Sequence, residues 1–228
     1  MQKGIKFRIY PNREQQKLIN QTLGCCRLIY NKGLAMRNEA YENGRKVGFS
    51  QTSAMLTELK RSDAFAFLKA VDSIALQQSL RDLDRGFVNF FRKRAAHPIF
   101  KSKHNRHQSY RTVNQGDNIR IAGKYIKLPK LGYVKIRQSM EVGKIKNVTI
   151  EHTPTGKYFA VLNVEFEPQP RPNKGGRIGI DVGIKEFYSD SNGNVVSNPK
   201  YLEKTMRKLI REQRKLSRKQ KNSNNRNK

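Results

Sequence analysis

The residue with the clearest potential for chemistry is Asp181, in the short apolar stretch Arg177-Ile-Gly-Ile-Asp-Val-Gly183. Side chains alternate across a strand, so a strand here places Asp181 on one face between two glycines and the larger apolar side chains on the other, core face. A carboxylate without bulky neighbours lets a divalent metal ion and a phosphodiester approach the backbone. The stretch therefore indicates a metal site for phosphodiester chemistry; an ordinary strand-end or turn aspartate is the competing interpretation.

The charge of the chain indicates a polyanionic partner. The 228 residues include 47 Lys plus Arg against 18 Asp plus Glu, which gives a formal net charge of +29. Such a charge attracts nucleic acid through phosphate neutralisation and counterion release, so binding should weaken steeply with salt. A ribosome-like protein or a merely solvated basic surface is the alternative that composition leaves open.

Membrane and disulfide-rich classes are disfavoured. The sequence has no apolar run long enough to span a bilayer, and residues 4–10 alternate apolar with basic or tyrosine side chains instead of forming a signal-peptide core. The adjacent cysteines, Cys25 and Cys26, form neither a disulfide framework nor a paired-cysteine zinc motif, and we interpret them as small core residues. We expect a cytoplasmic protein with no membrane partner.

The first part of the chain indicates a strand followed by helices. Residues 4–10 alternate as a strand, and Asn12 with Gln15 forms a capping-box pattern that begins a helical region ending near residues 42–45. In this region Gly24 and Gly33 suggest a break or a kink. A shorter helix is predicted over about 52–60.

The clearest predicted helix runs from Asp72 or Ser73 to about Arg94. Its large apolar side chains recur at steps of three and four, which is typical of a packed bundle face. We assign the aromatic residues of this face to the core rather than to base stacking.

A basic segment follows His97-Pro98. Between Phe100 and Arg111 basic side chains are interleaved with aromatic ones, which suits a nucleic-acid backbone with occasional stacking, although a solvated loop explains the composition equally well. The segment and its flank contain His97, His104 and His107. Because no cysteine or acid lies near them at ligand spacing, they do not predict zinc.

From Asn118 to Glu167 the apolar period changes to two, with glycine or proline between short runs, which predicts a small antiparallel barrel or sandwich. The strand at 4–10 has no early partner, so we expect it to join this sheet and the helices to be an insertion. Residues 168–176 are rich in proline and glycine and predict a linker.

A new domain is predicted after the linker. Its first strand carries Asp181, its second covers about Lys185–Ser191, and Asn192-Gly193 is a hairpin turn that leads to Val195-Val196. A helix from about Tyr201 then has one apolar side and basic residues elsewhere.

A strand with an aspartate, a hairpin and a helix is how an RNase H-like nuclease domain begins, and at this point the chain resembles the TnpB family. These are transposon-encoded OrfB-type proteins, formerly described as transposases and related to type V CRISPR effectors. The matching motifs are ordered along nearly the whole chain, and the ordered set is specific although no single motif is decisive. They are Tyr10-Pro-Asn-Arg-Glu-Gln15, Gly24-Cys-Cys-Arg-Leu-Ile-Tyr-Asn31, Leu80-Arg-Asp-Leu-Asp84 with Phe87 and Phe90-Phe91, Pro98-Ile-Phe-Lys-Ser-Lys103, Leu128-Pro-Lys-Leu-Gly132, Ile178-Gly-Ile-Asp-Val-Gly183 and Gln213-Arg-Lys-Leu-Ser-Arg-Lys219.

The resemblance implies an RNA-guided DNA endonuclease with an α+β multidomain fold. Residues 1–11 with 112–168 would form a small antiparallel β barrel, the wedge domain, and 12–111 an inserted helical recognition domain with the basic loop. A linker at 169–176 would precede the incomplete start of an RNase H-like, RuvC-type α/β domain at 177–228. The implied partners are a guide RNA from the transposon end and a double-stranded DNA target, with a short adjacent motif read by the protein.

The resemblance also assigns Asp181 as the first of three RuvC carboxylates that hold magnesium. The family's later Glu, paired CxxC zinc ribbon and final Asp have no counterpart here, so no zinc site is expected, and Glu186 and Asp190 are interpreted as turn or edge residues. One carboxylate cannot hold two metals, so we expect a C-terminally truncated member that does not cleave alone.

The basic residues that we select as nucleic-acid contacts are Lys101, Lys103, Arg106, Arg111, Lys130, Lys135, Arg211, Arg214 and Arg218. The alternatives are a non-cleaving regulator that binds guide RNA or DNA and a generic basic nucleic-acid-binding protein.

Overall fold

The computed structural model describes residues 1–105, 107–138, 140, 142–168 and 175–227. The chain divides into two compact units, Met1–Pro168 and Gln169–Lys228. The predicted linker begins at this division, and its residues 169–174 lie outside the described residues.

The first unit contains one strand, then helices, then six more strands. Its elements are β1 (Gln2–Tyr10), α1 (Arg13–Glu42), α2 (Phe49–Arg61), a 3-10 helix (Asp63–Lys69), α3 (Ser73–Phe91), β2 (Gln108–Val113), β3 (Arg120–Ala122), β4 (Tyr125–Leu128), β5 (Gly132–Arg137), β6 (Ile145–His152) and β7 (Tyr158–Glu165). The predicted helices are confirmed, although α3 ends three residues before the predicted Arg94. The predicted boundary between residues 111 and 112 falls inside β2.

The seven strands form one antiparallel sheet in the order β2-β6-β7-β1-β5-β4-β3. β1 pairs with both β7 and β5, which confirms that the N-terminal strand joins the later ones and that the helices are inserted between paired strands. One sheet forms instead of two facing sheets, so the sandwich alternative is wrong. The strand order leaves β2 and β3 at the ends, so the closed barrel is not confirmed. Near these ends, Nδ2 of Asn114 donates to the carbonyls of Ile119 (3.0 Å) and Ile145 (2.9 Å).

Helix α1 begins with the predicted capping box. The Gln15 amide N–H donates to Oδ1 of Asn12 (2.8 Å), and Oε1 of Gln15 accepts from the Asn12 amide (3.0 Å). Nε2 of Gln15 also donates to the carbonyls of Leu131 and Tyr133, which ties the start of the helix to β5. The helix then continues for 30 residues through both internal glycines, so the expected break or kink is wrong.

The two glycines of α1 have different surroundings. A Cβ atom at Gly33 would lie 2.9 Å from Cδ2 of Leu80 and 3.0 Å from Cδ2 of Leu83, whereas one at Gly24 would meet the nearest atom, Nη2 of Arg27, at 3.9 Å. Gly33 therefore lets α1 and α3 approach closely, and only its lack of a side chain makes this possible. Gly24 has no such packing role.

We expect Gly33→Val to destabilise the first unit by about 1–3 kcal/mol, because the added methyl groups would overpack the contact with α3. Gly24→Ala should instead stabilise it by about 0.5–1 kcal/mol, since alanine loses less backbone entropy in a helix. Urea unfolding followed by circular dichroism measures both changes. Equal effects of the two substitutions would contradict the packing role of Gly33.

The helices and the sheet of the first unit share one hydrophobic core. Leu76 and Leu80 of α3 belong to the same cluster of buried side chains as Ile150 of β6 and Leu162 of β7. A smaller cluster joins Tyr30 and Leu34 to Leu83 and Phe87. The apolar face of α3 is thus buried as predicted, but against the sheet as well as against other helices, so the helices are not a separate bundle.

The described part of the second unit contains three short strands and two helices: β8 (Ile180–Asp181), β9 (Glu186–Asp190), β10 (Val195–Ser197), α4 (Tyr201–Ser217) and α5 (Asn224–Asn227). The strands form an antiparallel sheet in the order β10-β9-β8, which confirms the predicted hairpin. The described residues of this unit include none that is buried. The expectation that Ile178, Ile180 and Val182 face a core is therefore wrong here, because the unit offers no second layer that would cover them.

Candidate nucleic-acid interface

The basic segment after α3 is a loop whose described backbone is held by side chains. Asn31 of α1 donates from Nδ2 to the Lys101 carbonyl (3.0 Å) and accepts from the Lys101 amide (2.8 Å). Nε2 of Gln108 donates to the carbonyls of Lys103 (3.1 Å) and Asn105 (2.8 Å). The loop therefore has a defined shape, and Lys103 is exposed on it. Arg106, another of the predicted contacts, lies outside the described residues.

Two predicted contacts of this region, Lys101 and Arg111, surround Asp82 of α3. Arg111 forms an ion pair with Asp82, and its side chain is 23% exposed. The ammonium group of Lys101 lies 4.1 Å from the centre of the Tyr30 ring. Partial burial lowers the pKa of Lys101, and the nearby Asp82 partly opposes that shift. The charged groups of Lys101 and Arg111 therefore already contact other side chains of the protein.

A cleft of about 120 Å³ lies between α1, α3, the loop and the start of β2. Asp82, Lys101 and Arg111 line it together with Arg27, whose Nη1 donates to Oε1 of Gln108 (3.1 Å). The structure therefore brings these two predicted contacts together, in a polar cleft rather than on an open basic surface.

Lys130 and Lys135 lie on the sheet. Lys130 is in the turn between β4 and β5 with a φ of 62°, and Lys135 is on the exposed side of β5. In register, Lys135 is opposite Tyr10 of β1 on one side and Tyr125 of β4 on the other. Both lysines are exposed.

The predicted arginines of the second unit lie along α4. Arg211, Arg214 and Arg218 are spaced by three and four residues, and with Arg207 and Lys215 they line a shallow groove that also includes Ile210. Glu212 accepts from Nζ of Lys215 (3.1 Å), and Nε of Arg211 lies 3.5 Å from the same carboxylate oxygen. Basic side chains three and four residues apart repel one another on a helix, so a bound polyanion would stabilise α4.

Sequence reasoning missed a set of basic residues on the outer side of the sheet. Arg8 of β1 is opposite Arg137 of β5, and Lys127 of β4 is opposite Arg120 of β3. The period-two pattern of residues 4–10 already separates Arg8 from the core side chains. Only the strand register shows that it lies beside Arg137.

Asp181 is exposed on β8, opposite Ser189 of β9. The other acids near it in sequence have local roles. Asp190 accepts from the Asn194 side chain (2.8 Å) and from the amides of Asn194 (3.0 Å) and Asn192 (2.9 Å), and these hydrogen bonds lower its pKa. Asp190 is therefore a turn residue, as interpreted from the sequence. The other acid, Glu186, lies on β9, and its Oε2 is 3.5 Å from Oγ of Ser189.

A metal centre would need several ligands close together. Among the described residues, no group of three or more His, Cys, Asp and Glu side chains is placed to hold a metal ion. In the same part of the chain, no helix is long and apolar enough to cross a membrane.

Two family models match the chain. One, described as "Helix-turn-helix domain" of the OrfB proteins of IS605, matches residues 1–46, and the other, described as "Probable transposase", matches residues 151–228. In the structure, residues 1–46 contain β1 and the single continuous helix α1, so no second helix follows a turn within that match.

Three relatives match the chain to different extents. "Putative RNA-guided DNA endonuclease InsQ" of Escherichia coli (strain K12) is 37% identical over 97% of this chain and 55% of its own length. "Putative RNA-guided DNA endonuclease" of Streptomyces pristinaespiralis is 36% identical over 100% of this chain and 58% of its own length. "Virulence protein VsdF" of Salmonella dublin is 35% identical over 46% of this chain and 96% of its own length. The chain thus spans slightly more than half the length of the first two relatives.

A solved structure, "Cryo-EM structure of CRISPR-Cas12f Ternary Complex", aligns with a TM-score of 0.43 at 13% identity. The alignment covers 93% of this chain and 54% of that one. A likeness of this extent does not define the fold.

Proposed function

Since the chain belongs to the TnpB family of OrfB-type transposon proteins, we propose that it binds a guide RNA from the transposon end together with double-stranded DNA, and that alone it does not cleave DNA. Two relatives that match 97% and 100% of this chain at 37% and 36% identity are named as RNA-guided DNA endonucleases, which supports the nucleic-acid partners. The chain's net charge of +29 supports the same partners independently of the family.

The observation that carries the binding proposal is the distribution of exposed basic side chains. Lys103, Lys130 and Lys135 are exposed in the first unit, and Arg214 and Arg218 are exposed in the second. Groups of cations spread over folded surfaces suit a long polyanion better than a small acidic ligand. We assign these residues to phosphate contacts, and with them Lys101, Arg111 and Arg211, whose charges are partly balanced by acids. Arg106 stays a sequence-based proposal.

We assign to the two units the domain roles that the TnpB family implies. Residues 1–11 and 112–168 would act as the wedge domain, 12–111 as the recognition helices, and 177–228 as the start of a RuvC-type domain. In such effectors, base pairing between guide and target reads the sequence, while the protein recognises the shape of the heteroduplex and a short motif beside the target.

The residues available for metal support the proposal that the chain does not cleave alone. Magnesium in a two-metal site is held by several carboxylate oxygens, and Asp181 alone cannot supply them. The described residues do not fit such a centre, because no group of three acidic, histidine or cysteine side chains is placed for it. We retain Asp181 as the proposed first ligand of a site that needs further carboxylates.

Filter binding tests the specific partner. Transposon-end RNA should bind more tightly than random RNA of equal length and composition at every salt concentration, because guide folding adds shape contacts to the phosphate term. Equal binding of the two RNAs would favour the second candidate, a generic basic nucleic-acid-binding protein.

Cleavage needs its own assay. The purified chain, loaded with guide RNA and given matched DNA and magnesium, should leave the DNA intact, as should Asp181→Ala. Cutting by the parental chain that disappears in Asp181→Ala would overturn the proposal that it is inactive alone.

A further inference from the structure

We propose that the outer side of the sheet in the first unit is a stacking platform for single-stranded nucleic acid. The surface, here called the tyrosine–arginine face, consists of Arg8, Tyr10, Tyr125, Tyr133, Lys135 and Arg137. The inference rests on the proposed nucleic-acid binding and adds the strandedness of the ligand and the way in which it is held.

Strand register brings five of these residues into two adjacent rows and places Tyr133 in a third, opposite Lys127 of β4. Tyr10, Lys135 and Tyr125 are opposite one another on β1, β5 and β4, so one row is tyrosine, lysine, tyrosine. The next row pairs Arg8 with Arg137. Neighbouring strands are about 4.8 Å apart, so the two rings of the first row are separated by roughly 10 Å, with a cation between them.

The face is open, while the other side of the same strands is closed. Ile9, Val134 and Ile136, which alternate with its members, are buried at 1%, 0% and 4% exposure. Tyr10, Tyr125 and Tyr133 are 46%, 47% and 50% exposed. Three half-exposed rings within one charged patch are more than scattered surface residues, and such patches mark interaction sites.

Two cations of the tyrosine–arginine face lie where their repulsion destabilises the protein without a ligand. Arg8 and Arg137 are like charges directly opposite on neighbouring strands, an arrangement that destabilises a sheet. A bound phosphate between them would remove this repulsion. The arrangement therefore indicates an anionic ligand.

Arg8 is held by aromatic rings. Its guanidinium carbon lies 5.4 Å from the centre of the Tyr10 ring and 5.3 Å from that of Phe159. Within the described structure its Nε atom is buried without a hydrogen-bond partner. These contacts orient the guanidinium without neutralising it, since a ring offers no formal negative charge.

The tyrosines decide the strandedness of the ligand. Phosphates alone need only cations, whereas exposed rings beside cations suit a strand whose bases are free to stack. In a duplex the bases are already stacked on one another, so their faces cannot reach the rings. Stacking uses the π-face that every base has, so the platform should accept RNA and DNA strands of varied sequence.

The test is fluorescence anisotropy with the full chain and a 12-nucleotide single strand, made as RNA and as DNA. Tyr10→Ala/Tyr125→Ala should weaken binding by at least about tenfold, as expected for the loss of base–aromatic stacking. The slope of log K against log salt should stay the same, because no charge is removed. Tyr10→Phe/Tyr125→Phe should bind as the parental chain does, since it keeps both rings.

Matched controls separate stacking from other effects. Tyr41→Ala, on a residue 81% exposed at the end of α1, should leave binding unchanged. Arg137→Ala should weaken binding and lower the salt slope by about one. A duplex of the same length should bind the tyrosine variants and the parental chain equally, and circular dichroism checks that each variant is folded.

Several results would overturn the platform. These are unchanged single-strand binding in the alanine variant, an equal loss in the phenylalanine variant, or an equal loss with duplex. In each case retained binding by the parental chain would leave the proposed function standing. Failure of the parental chain to bind any nucleic acid would instead refute the proposed function. A loss seen with only RNA or only DNA would contradict a platform that uses the π-face common to all bases.

Discussion

Raising the salt concentration from 50 to 200 mM is expected to weaken binding of the parental chain to nucleic acid by about 10³–10⁵-fold, if about six to ten phosphates are contacted. The exposed lysine and arginine side chains of the sheet, the loop and α4 are numerous enough to contact six to ten phosphates. Each neutralised phosphate releases condensed counterions, so the dependence of log K on log salt is linear with a slope that reports the number of contacts. Filter binding with a random duplex at five salt concentrations measures it.

Single substitutions measure how much each basic residue contributes to the slope of log K against log salt. Lys130→Ala and Arg214→Ala should each reduce it by about one, because each side chain is exposed and is proposed to meet a phosphate. Lys146→Gln combined with Glu165→Gln removes an ion pair between residues that are not among the proposed contacts and keeps the net charge, so it should change the slope much less. A parental slope near zero would mean that the charge of +29 is not used for binding phosphate.

Leu76→Ala is expected to destabilise the first unit by about 2–5 kcal/mol. Leu76 is 0% exposed in the core that α3 shares with the sheet, so shortening it both removes buried apolar surface and leaves a cavity. Because the core is common, helix and sheet should unfold together. Urea unfolding followed by far-ultraviolet circular dichroism and by tyrosine fluorescence should give coincident curves for the first-unit transition.

Leu202→Ala is the matched control for this prediction. Leu202 lies on α4 and is 77% exposed, so its truncation should change the free energy of unfolding by less than about 0.5 kcal/mol. Loss of the helical signal before the tyrosine signal in the Leu76 variant would contradict a shared core. It would favour helices that fold independently of the sheet.

The helices and strands of the chain could be predicted well because their signals are local. The reciprocal hydrogen bonds of Asn12 and Gln15 depend on residues three apart, and the turn at Asn192-Gly193 on residues within the hairpin. The failures involved residues far apart in sequence. Gly33 was expected to break or kink its helix, yet it lies where Leu80 and Leu83 come within about 3 Å of the position a Cβ would take. The helical pattern of a sequence does not show which side chains of another helix will pack against a glycine.

The basic contacts show the same limit. Arg111 carries the same charge as Lys130 in the sequence, but the fold pairs Arg111 with Asp82 and leaves Lys130 exposed in a turn. The stretch around Asp181 was correctly expected to contribute a strand. Its apolar side is nevertheless exposed, because burial depends on a second layer that the described part of the second unit does not provide.

By itself the sequence determined the net charge of +29, the family, the positions of most helices and strands, and the single carboxylate in an open stretch. Each of these depends on composition or on residues close together in the chain. Only the tertiary structure decided that the helices share a core with the sheet and that Arg8 lies beside Arg137, with its guanidinium near the rings of Tyr10 and Phe159. Strand register caused the difference, because it joins residues more than a hundred positions apart and no local pattern records which strands will pair.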